Sequence, residues 1–342
     1  MLALDLGGTQ IRAAVVLADG TRLARAALPT PSADGPEAIV ESCLDALRRA
    51  RADTPPAIAA ELAGVGLSSP GPVDPARGVV TEPPNLGPGF RDIPLAAAVS
   101  AALDLPAFLD RDTTLAALGE RAFGAGRDCD DFIYLTISTG VGGGIIAGGQ
   151  LFHGPDGLAG ELGHVPVDAD GPICGCGGRG HLEAVASGTA LARDARAAAA
   201  DGSSPFLAHR AQAGTALSAK DVAEGEDAND PVCAALIARA RRAVGIACVG
   251  FVNAFNPHRI IIGGSIAEAQ RDRLLELVRE TIRAEAFRGA ASRVVVLAPE
   301  LGADVSLAGA HPLVMSRLGD PDPRPASAAR GRATPPIPTP SA

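Results

Sequence analysis

Two glycine loops with polar tips, Asp5-Leu-Gly-Gly-Thr9 and Ser138-Thr-Gly-Val-Gly-Gly-Gly144, constrain this chain more than any other feature. Each follows an apolar, strand-like run and leads into another. The residues Gly7 and Gly8 in the first loop, and Gly140, Gly142 and Gly143 in the second, let backbone N–H groups approach a phosphate closely. The hydroxyls of Thr9, Ser138 and Thr139 add donors, and Asp5 adds a carboxylate. Neither loop follows the strand, G-x-G-x-x-G and helix order of a dinucleotide fold. The literal match at Gly175–Gly180 lies inside a cysteine cluster and is no dinucleotide signal. One such loop is most simply a hairpin turn, but two in one chain point to phosphate binding.

Strands alternate with helices elsewhere, as in an α/β protein. Met1 to about Arg25 reads as two or three antiparallel strands turned by Asp19-Gly20. Residues 36–52 place Ile39, Val40, Cys43, Leu44 and Leu47 at helical spacing. A buried strand Leu62–Leu67, a turn at 70–72, a helix over 94–103 and a strand Ala107–Asp110 complete a βββαβαβ unit. A helix around Leu115–Ala122 leads to a second unit that opens with the strand Asp131–Thr136. After an irregular stretch, Gly148–Arg179, helices are expected over about 183–200, 230–254 and 266–286. The strands Arg259–Ile262, ending in Gly263-Gly264, and Val294–Leu297 close the unit. Residues 319–342 are rich in Pro, Ala, Arg, Ser and Thr without apolar periodicity, and read as a disordered tail.

Composition excludes several classes of function. At 342 residues and 47% apolar content the chain can build a large core, and a formal charge of −9 gives no general attraction for nucleic acid or anionic membranes. The sequence holds a single lysine, Lys220, with no glycine before it. A Walker A loop and a protein-kinase strand lysine are therefore both missing. Nothing at the N-terminus reads as a signal peptide and no apolar run approaches ~18 residues, so the expected location is the cytoplasm. Six cysteines in such a compartment read as thiols or metal ligands. His164, Cys174, Cys176 and His181 lie within twenty residues and offer two sulfurs and two imidazoles, a set suited to structural Zn²⁺. The alternative is free thiols and solvated histidines.

Five segments occur here in a telling order: the first glycine loop, Arg111-Asp112-Thr-Thr-Leu-Ala-Ala-Leu-Gly-Glu120, the glycine run ending at Gly144, Ala159-Gly-Glu-Leu-Gly-His164, and Cys174-Gly-Cys-Gly-Gly-Arg-Gly-His-Leu-Glu183. Together they resemble the ROK family, which groups bacterial sugar kinases with sugar-responsive repressors, over roughly residues 1–318. The resemblance implies a two-lobed, actin-like (ribonuclease-H-like) ATPase fold. Its small lobe would comprise 1–113 plus 305–318 and its large lobe 114–304. Closure is expected about a hinge near 112–115 and a return crossing near 303–306. The helix-turn-helix of the repressors is read as missing here.

The resemblance implies ATP-dependent phosphorylation of a hexose 6-hydroxyl, with glucose as the leading substrate. N-acetylmannosamine, N-acetylglucosamine, fructose and allose are alternatives, as is a sugar sensor without turnover. By position, Asp112 matches the catalytic base, and its other reading is a helix N-cap. Asp5 would orient Mg²⁺ near the phosphates, Gly263 and Gly264 would lie on the adenosine side, and Gly71, Asn85, Arg111, Glu161, His164 and Glu183 would meet the sugar. The partners implied are the hexose and a second copy in a homodimer. The chain departs from the family in three places. Arg111 and Thr114 stand where asparagines are usual, and His181 stands in place of a third cysteine ligand.

Overall fold

The structure, a computed structural model, describes residues 1–319 apart from positions 84, 88, 156 and 215. Twelve strands form two five-stranded sheets and a small hairpin. The first sheet contains β1 (Leu2–Leu6), β2 (Gln10–Val16), β3 (Arg22–Pro29), β4 (Val65–Ser69) and, beyond the hairpin of β5 (Val73–Asp74) and β6 (Val79–Val80), β7 (Ala107–Arg111). The second contains β8 (Phe132–Ile137), β9 (Val141–Ala147), β10 (Gln150–Leu151), β11 (Arg259–Gly263) and β12 (Val295–Leu297). Their orders, β3-β2-β1-β4-β7 and β10-β9-β8-β11-β12, are the same order met twice. In each, the first two pairings are antiparallel and the last two parallel.

Alternation along the strands sorts side chains between two layers of helix. On β1, Leu2, Leu4 and Leu6 join the cluster beneath the helix Pro36–Ala52, whereas Ala3 packs with Leu115, Leu307 and Ala310. Asp5 has the parity of Ala3 and so faces those central helices. On β8, Ile133, Leu135 and Ile137 face the outer helices, while Phe132 and Tyr134 meet Ala116 and Ala117. The hairpin at Asp19-Gly20 forms as expected, with Gly20 at φ 83° and the Thr21 N–H donating to Asp19 Oδ1 at 2.8 Å.

Between the sheets cross two helices, Asp112–Phe123 after β7 and Val305–Leu318 after β12. They meet backbone to backbone. A Cβ on Gly309 would stand 1.8 Å from the Leu115 carbonyl oxygen, and one on Gly119 would stand 2.5 Å from that of Val305. Only glycine allows this approach.

Some expected elements are divided. The helix expected over 183–200 is two, Leu182–Ala186 and Gly188–Ala200, because Ser187 is extended and its Oγ caps the second by accepting from the Ala190 N–H at 3.0 Å. The one expected over 266–286 breaks at Gln270 into Ser265–Ala269 and Arg271–Glu285. Two helices, Pro205–Gln212 and Ala219–Asp227, were not anticipated; each begins at a serine, Ser204 and Ser218. Gly319 ends the last helix in the left-handed region, and the remainder of the tail, 320–342, lies outside the described residues. Among the described residues no helix is long and apolar enough to cross a membrane.

Candidate active site

The first glycine loop is held by its carbonyls. Thr30 Oγ1 donates to the Gly7 oxygen at 2.6 Å and Ser32 Oγ to that of Gly8 at 3.2 Å, while the Gly7 N–H closes the turn onto Gln10 at 3.0 Å. Among the described residues no acceptor serves the Gly8 and Thr9 N–H groups, which are left for a ligand. A Cβ on Gly8 would lie 2.8 Å from the Asn85 oxygen, so the loop and Asn85 are in contact. Asp5 is buried, accepting from Ser68 Oγ at 2.7 Å and from Arg12 Nη2 at 2.6 Å. Sequence reading missed both partners. The antiparallel register Asp5↔Arg12 across the β1–β2 hairpin is the signal that could have found Arg12.

Asp112 opens the first crossing helix, where its Oδ1 accepts the Thr113 N–H at 2.7 Å. As a residue it is solvent-exposed, yet protein atoms surround its carboxyl, as at the floor of an open cleft. Desolvation first, and then the charge of Asp5, push that carboxyl up to about 6; Thr113 and Arg111 pull it down, and Glu161 adds a further push. The helix can sit this low because of glycines in β9. Cβ atoms on Gly142 and Gly144 would meet Thr113 Cγ2 and Ala117 Cβ, each at 2.7 Å. Gly142 and Gly143, expected at the nucleotide, thus lie within a strand, the first against Thr113 and the second against Leu162.

The tip of the second loop is Ser138–Gly140. Ser138 Oγ lies 3.0 Å from Ser265 Oγ, and Thr189 Oγ1 donates to the Thr139 carbonyl at 2.8 Å. Gly264, at φ 94°, passes so close to Ile137 that a Cβ would stand 2.5 Å from its oxygen. The Gly263-Gly264 turn therefore lies beside the loop. A small, largely apolar hollow, lined in part by Ile137, Ala186, Leu191 and Ile266, opens next to it. Glu183 joins the loop to the cysteine cluster: Oε2 accepts the Val141 N–H at 3.0 Å and Oε1 lies 3.8 Å from Cys174 Sγ.

The ligand atoms of His164, Cys174, Cys176 and His181 all lie within 4.8 Å of one another. A tetrahedral site with metal–sulfur bonds of about 2.3 Å and metal–nitrogen bonds of about 2.0–2.1 Å separates its donors by about 3.3–3.8 Å. Here Cys174 Sγ is 3.6 Å from His164 Nδ1 and Cys176 Sγ is 3.2 Å from His181 Nδ1, so the set fits such an ion. The other His164 nitrogen, Nε2, lies 3.9 Å from Glu161 Oε2. One ring thus turns one nitrogen to the cysteine cluster and the other toward Glu161.

A sequence profile of the ROK family matches residues 1–317. The chain belongs to the ROK family. A glucokinase of Halalkalibacterium halodurans is 34% identical over 314 residues, covering 92% of this chain and 94% of that protein. An N-acetylmannosamine kinase of Escherichia fergusonii is 34% identical over 311 residues, 90% of this chain and 96% of that one. Among solved structures, a ROK family glucokinase from Streptomyces griseus in complex with glucose and AMPPNP is 32% identical, with a TM-score of 0.74 over 93% of this chain and 99% of that one. The fold is the expected two-lobed, actin-like one.

Arg111, the departure from the ROK pattern nearest to Asp112, is buried, and its guanidinium donates to the Glu161 carboxylate and the Ala159 carbonyl. Its aliphatic stem lies against the 70–72 turn, with Cδ 3.3 Å from a Cβ placed on Gly71. Lys220 sits on an outer helix, 84% exposed and 3.7 Å from Glu224.

Proposed function

We propose that this chain is an ATP-dependent hexose kinase acting on the 6-hydroxyl, with glucose as its substrate. The observation that carries this reading is a carboxyl raised to about 6, Asp112, at the start of a helix laid between two phosphate-type loops. A base of that strength is ionised at neutral pH and still accepts a proton readily. The sugar hydroxyl gives its proton to Asp112 as its oxygen bonds to the γ-phosphorus, the bond from that phosphorus to the β,γ-bridging oxygen breaks, and ADP leaves. The Gly8 and Thr9 N–H groups, with Ser138, Thr139 and Gly140, cradle the phosphates. Gly263 and Gly264 make room for adenosine, whose base would lie toward Ile137 and Ile266. Glu161, His164, Glu183 and Asn85 read the sugar hydroxyls beside the Gly71 turn. Polar groups that a bound sugar covers reject an analogue lacking the matching hydroxyl by up to ~10⁴–10⁵, because they would be left unpaired.

Asp5 would hold Mg²⁺, directly or through water, and the ion would neutralise charge on the transferring phosphoryl group. His164, Cys174, Cys176 and His181 would hold Zn²⁺ in a structural role, ordering a loop with little apolar content of its own. On the same reading the small lobe, 1–113 plus 305–318, closes onto 114–304 about the two crossings. The chain works in the cytoplasm as a homodimer formed by outer helices of the large lobe, which sedimentation tests.

The equal identity to an N-acetylmannosamine kinase supports a second choice of sugar. A coupled ADP-release assay with ATP and Mg²⁺ against glucose, mannose, fructose, allose, N-acetylglucosamine and N-acetylmannosamine decides. Glucose turnover well above the others is expected. Thermal stabilisation by a sugar without ADP release would move the chain to the sensors.

A further inference from the structure

Asp110 and Arg111 are the last two residues of β7, so they leave it on opposite faces. Asp110 is wholly buried; its Oδ1 accepts the Arg111 N–H at 2.8 Å and its Oδ2 lies 2.7 Å from His153 Nε2. Arg111 reaches the other way, to Ala159 and Glu161. These targets belong to the two ends of one loop, and the Ala159 N–H donates to the His153 carbonyl at 2.9 Å, closing its base. The arginine runs a confined course. Gly71 flanks its stem, and a Cβ on Gly160 would lie 3.3 Å from its Nη2.

We propose that Asp110 and Arg111 are a two-pronged positioning clamp, gripping both ends of this loop so that Glu161 meets the sugar at a fixed distance from Asp112. Both prongs stand directly before Asp112 on a buried strand end. The geometry of the base and that of the sugar-reading carboxylate are thereby set by the same few atoms. A forked guanidinium can hold a carbonyl and a carboxylate together, as an asparagine at this position cannot. The clamp rests on the reading of Asp112 and Glu161 given above.

The test compares Arg111→Gln, Arg111→Lys and His153→Gln in the full chain by steady-state kinetics and by hydrogen exchange of the peptide Ala159–His164. The Gln variant at 111 is expected to lose ~10–100-fold in kcat/KM for glucose, as small misplacements near the chemistry do, with the KM for ATP within about twofold. Lysine at 111 recovers part of that loss. His153→Gln loses less, and the double variant loses less than the product of the two because both prongs hold one closed loop. Exchange at Ala159–His164 quickens in step. A raised glucose KM with unchanged exchange and a neutral His153→Gln overturns the clamp, and makes Arg111 a direct sugar ligand through its Nε–H, which has no hydrogen-bond partner among the described residues. Failure of all sugars to turn over would sink the kinase reading instead, while the exchange measurement still judges the clamp. Should Arg111→Gln not fold, the lysine and His153 variants carry the test.

Discussion

Each lobe of this molecule starts a central helix beside an aspartate, and the two aspartates meet opposite surroundings. Asp112 begins the helix that follows β7, and Asp304 precedes the helix that follows β12. Three arginines surround Asp304, with Arg25 at 2.7 Å, Arg12 at 3.6 Å and Arg22 at 3.7 Å. Asp112 makes no ion pair among the described residues, because the neighbouring Arg111 is turned to Glu161. The repeated topology supplies a carboxylate at both crossings, and the neighbours give the two opposite electrostatic settings. The loops differ in the same way: Asp5 projects toward the central helices from the first, and Thr136 stands at the matching position before the second.

The sharpest way to break this comparison is to exchange the charge at each crossing. Asp112→Asn should lower kcat by ~10²–10⁴ while leaving sugar binding by calorimetry intact, as loss of a general base does. Near-normal turnover would return Asp112 to the rank of a helix cap. Disturbing the second lobe's loop should cost less. Cys174→Ala, or chelation, is expected to reduce hexose kcat/KM by ~10–100-fold through disorder at His164. Elemental analysis of the untreated protein should then give about one zinc per chain. Where the lobes touch, Gly309→Ala must push a methyl into the Leu115 carbonyl, at a cost of about 1–3 kcal/mol in denaturant titration.

The pH profile separates the two aspartates without mutation. If Asp112, its carboxyl pushed up to about 6, is the base of the proposed reaction, kcat/KM should be flat above that pH and fall about tenfold per unit below it. A limb near pH 4, the ordinary carboxylate range, would mean that the base is elsewhere. The smallest effect belongs to Asp304→Asn. Loss of its largely screened ion pairs should lower stability by about 1 kcal/mol or less and leave kcat within about twofold.

What could be read from sequence was what is contiguous in it. The first glycine loop, Asp112 and the Cys174-Gly-Cys176 cluster are runs of neighbours, and backbone geometry keeps neighbours together. The Asp19-Gly20 hairpin was legible for the same reason. The partners that tune these groups were not. Ser68 reaches Asp5 through the parallel pairing of β1 with β4, and His153 reaches Asp110 across the interface of the lobes. Glu120, fully buried, takes the N–H group of Ala125 close by and those of Glu300 and Leu301, which are set far from it along the chain. Residue type and spacing do not encode such meetings. The division of the 183–200 helix escaped notice because an alanine-rich run hides a Ser187-Gly188 break that only the fold makes necessary.

The glycine-to-backbone crossing of the two central helices would serve the proposed closure as a bearing. Most joints between lobes are lined with side chains that must change rotamer and repack whenever the angle changes, and each such rearrangement resists the motion. At Gly119 and Gly309 there is little to repack, since main chain lies directly on main chain. On the proposed closure, such a crossing would resist sliding, because the backbones are already in contact, and would offer little resistance to rotation. On the proposed closure, the groups that would set the angle lie away from this crossing, as in the grip on the His153–Ala159 loop.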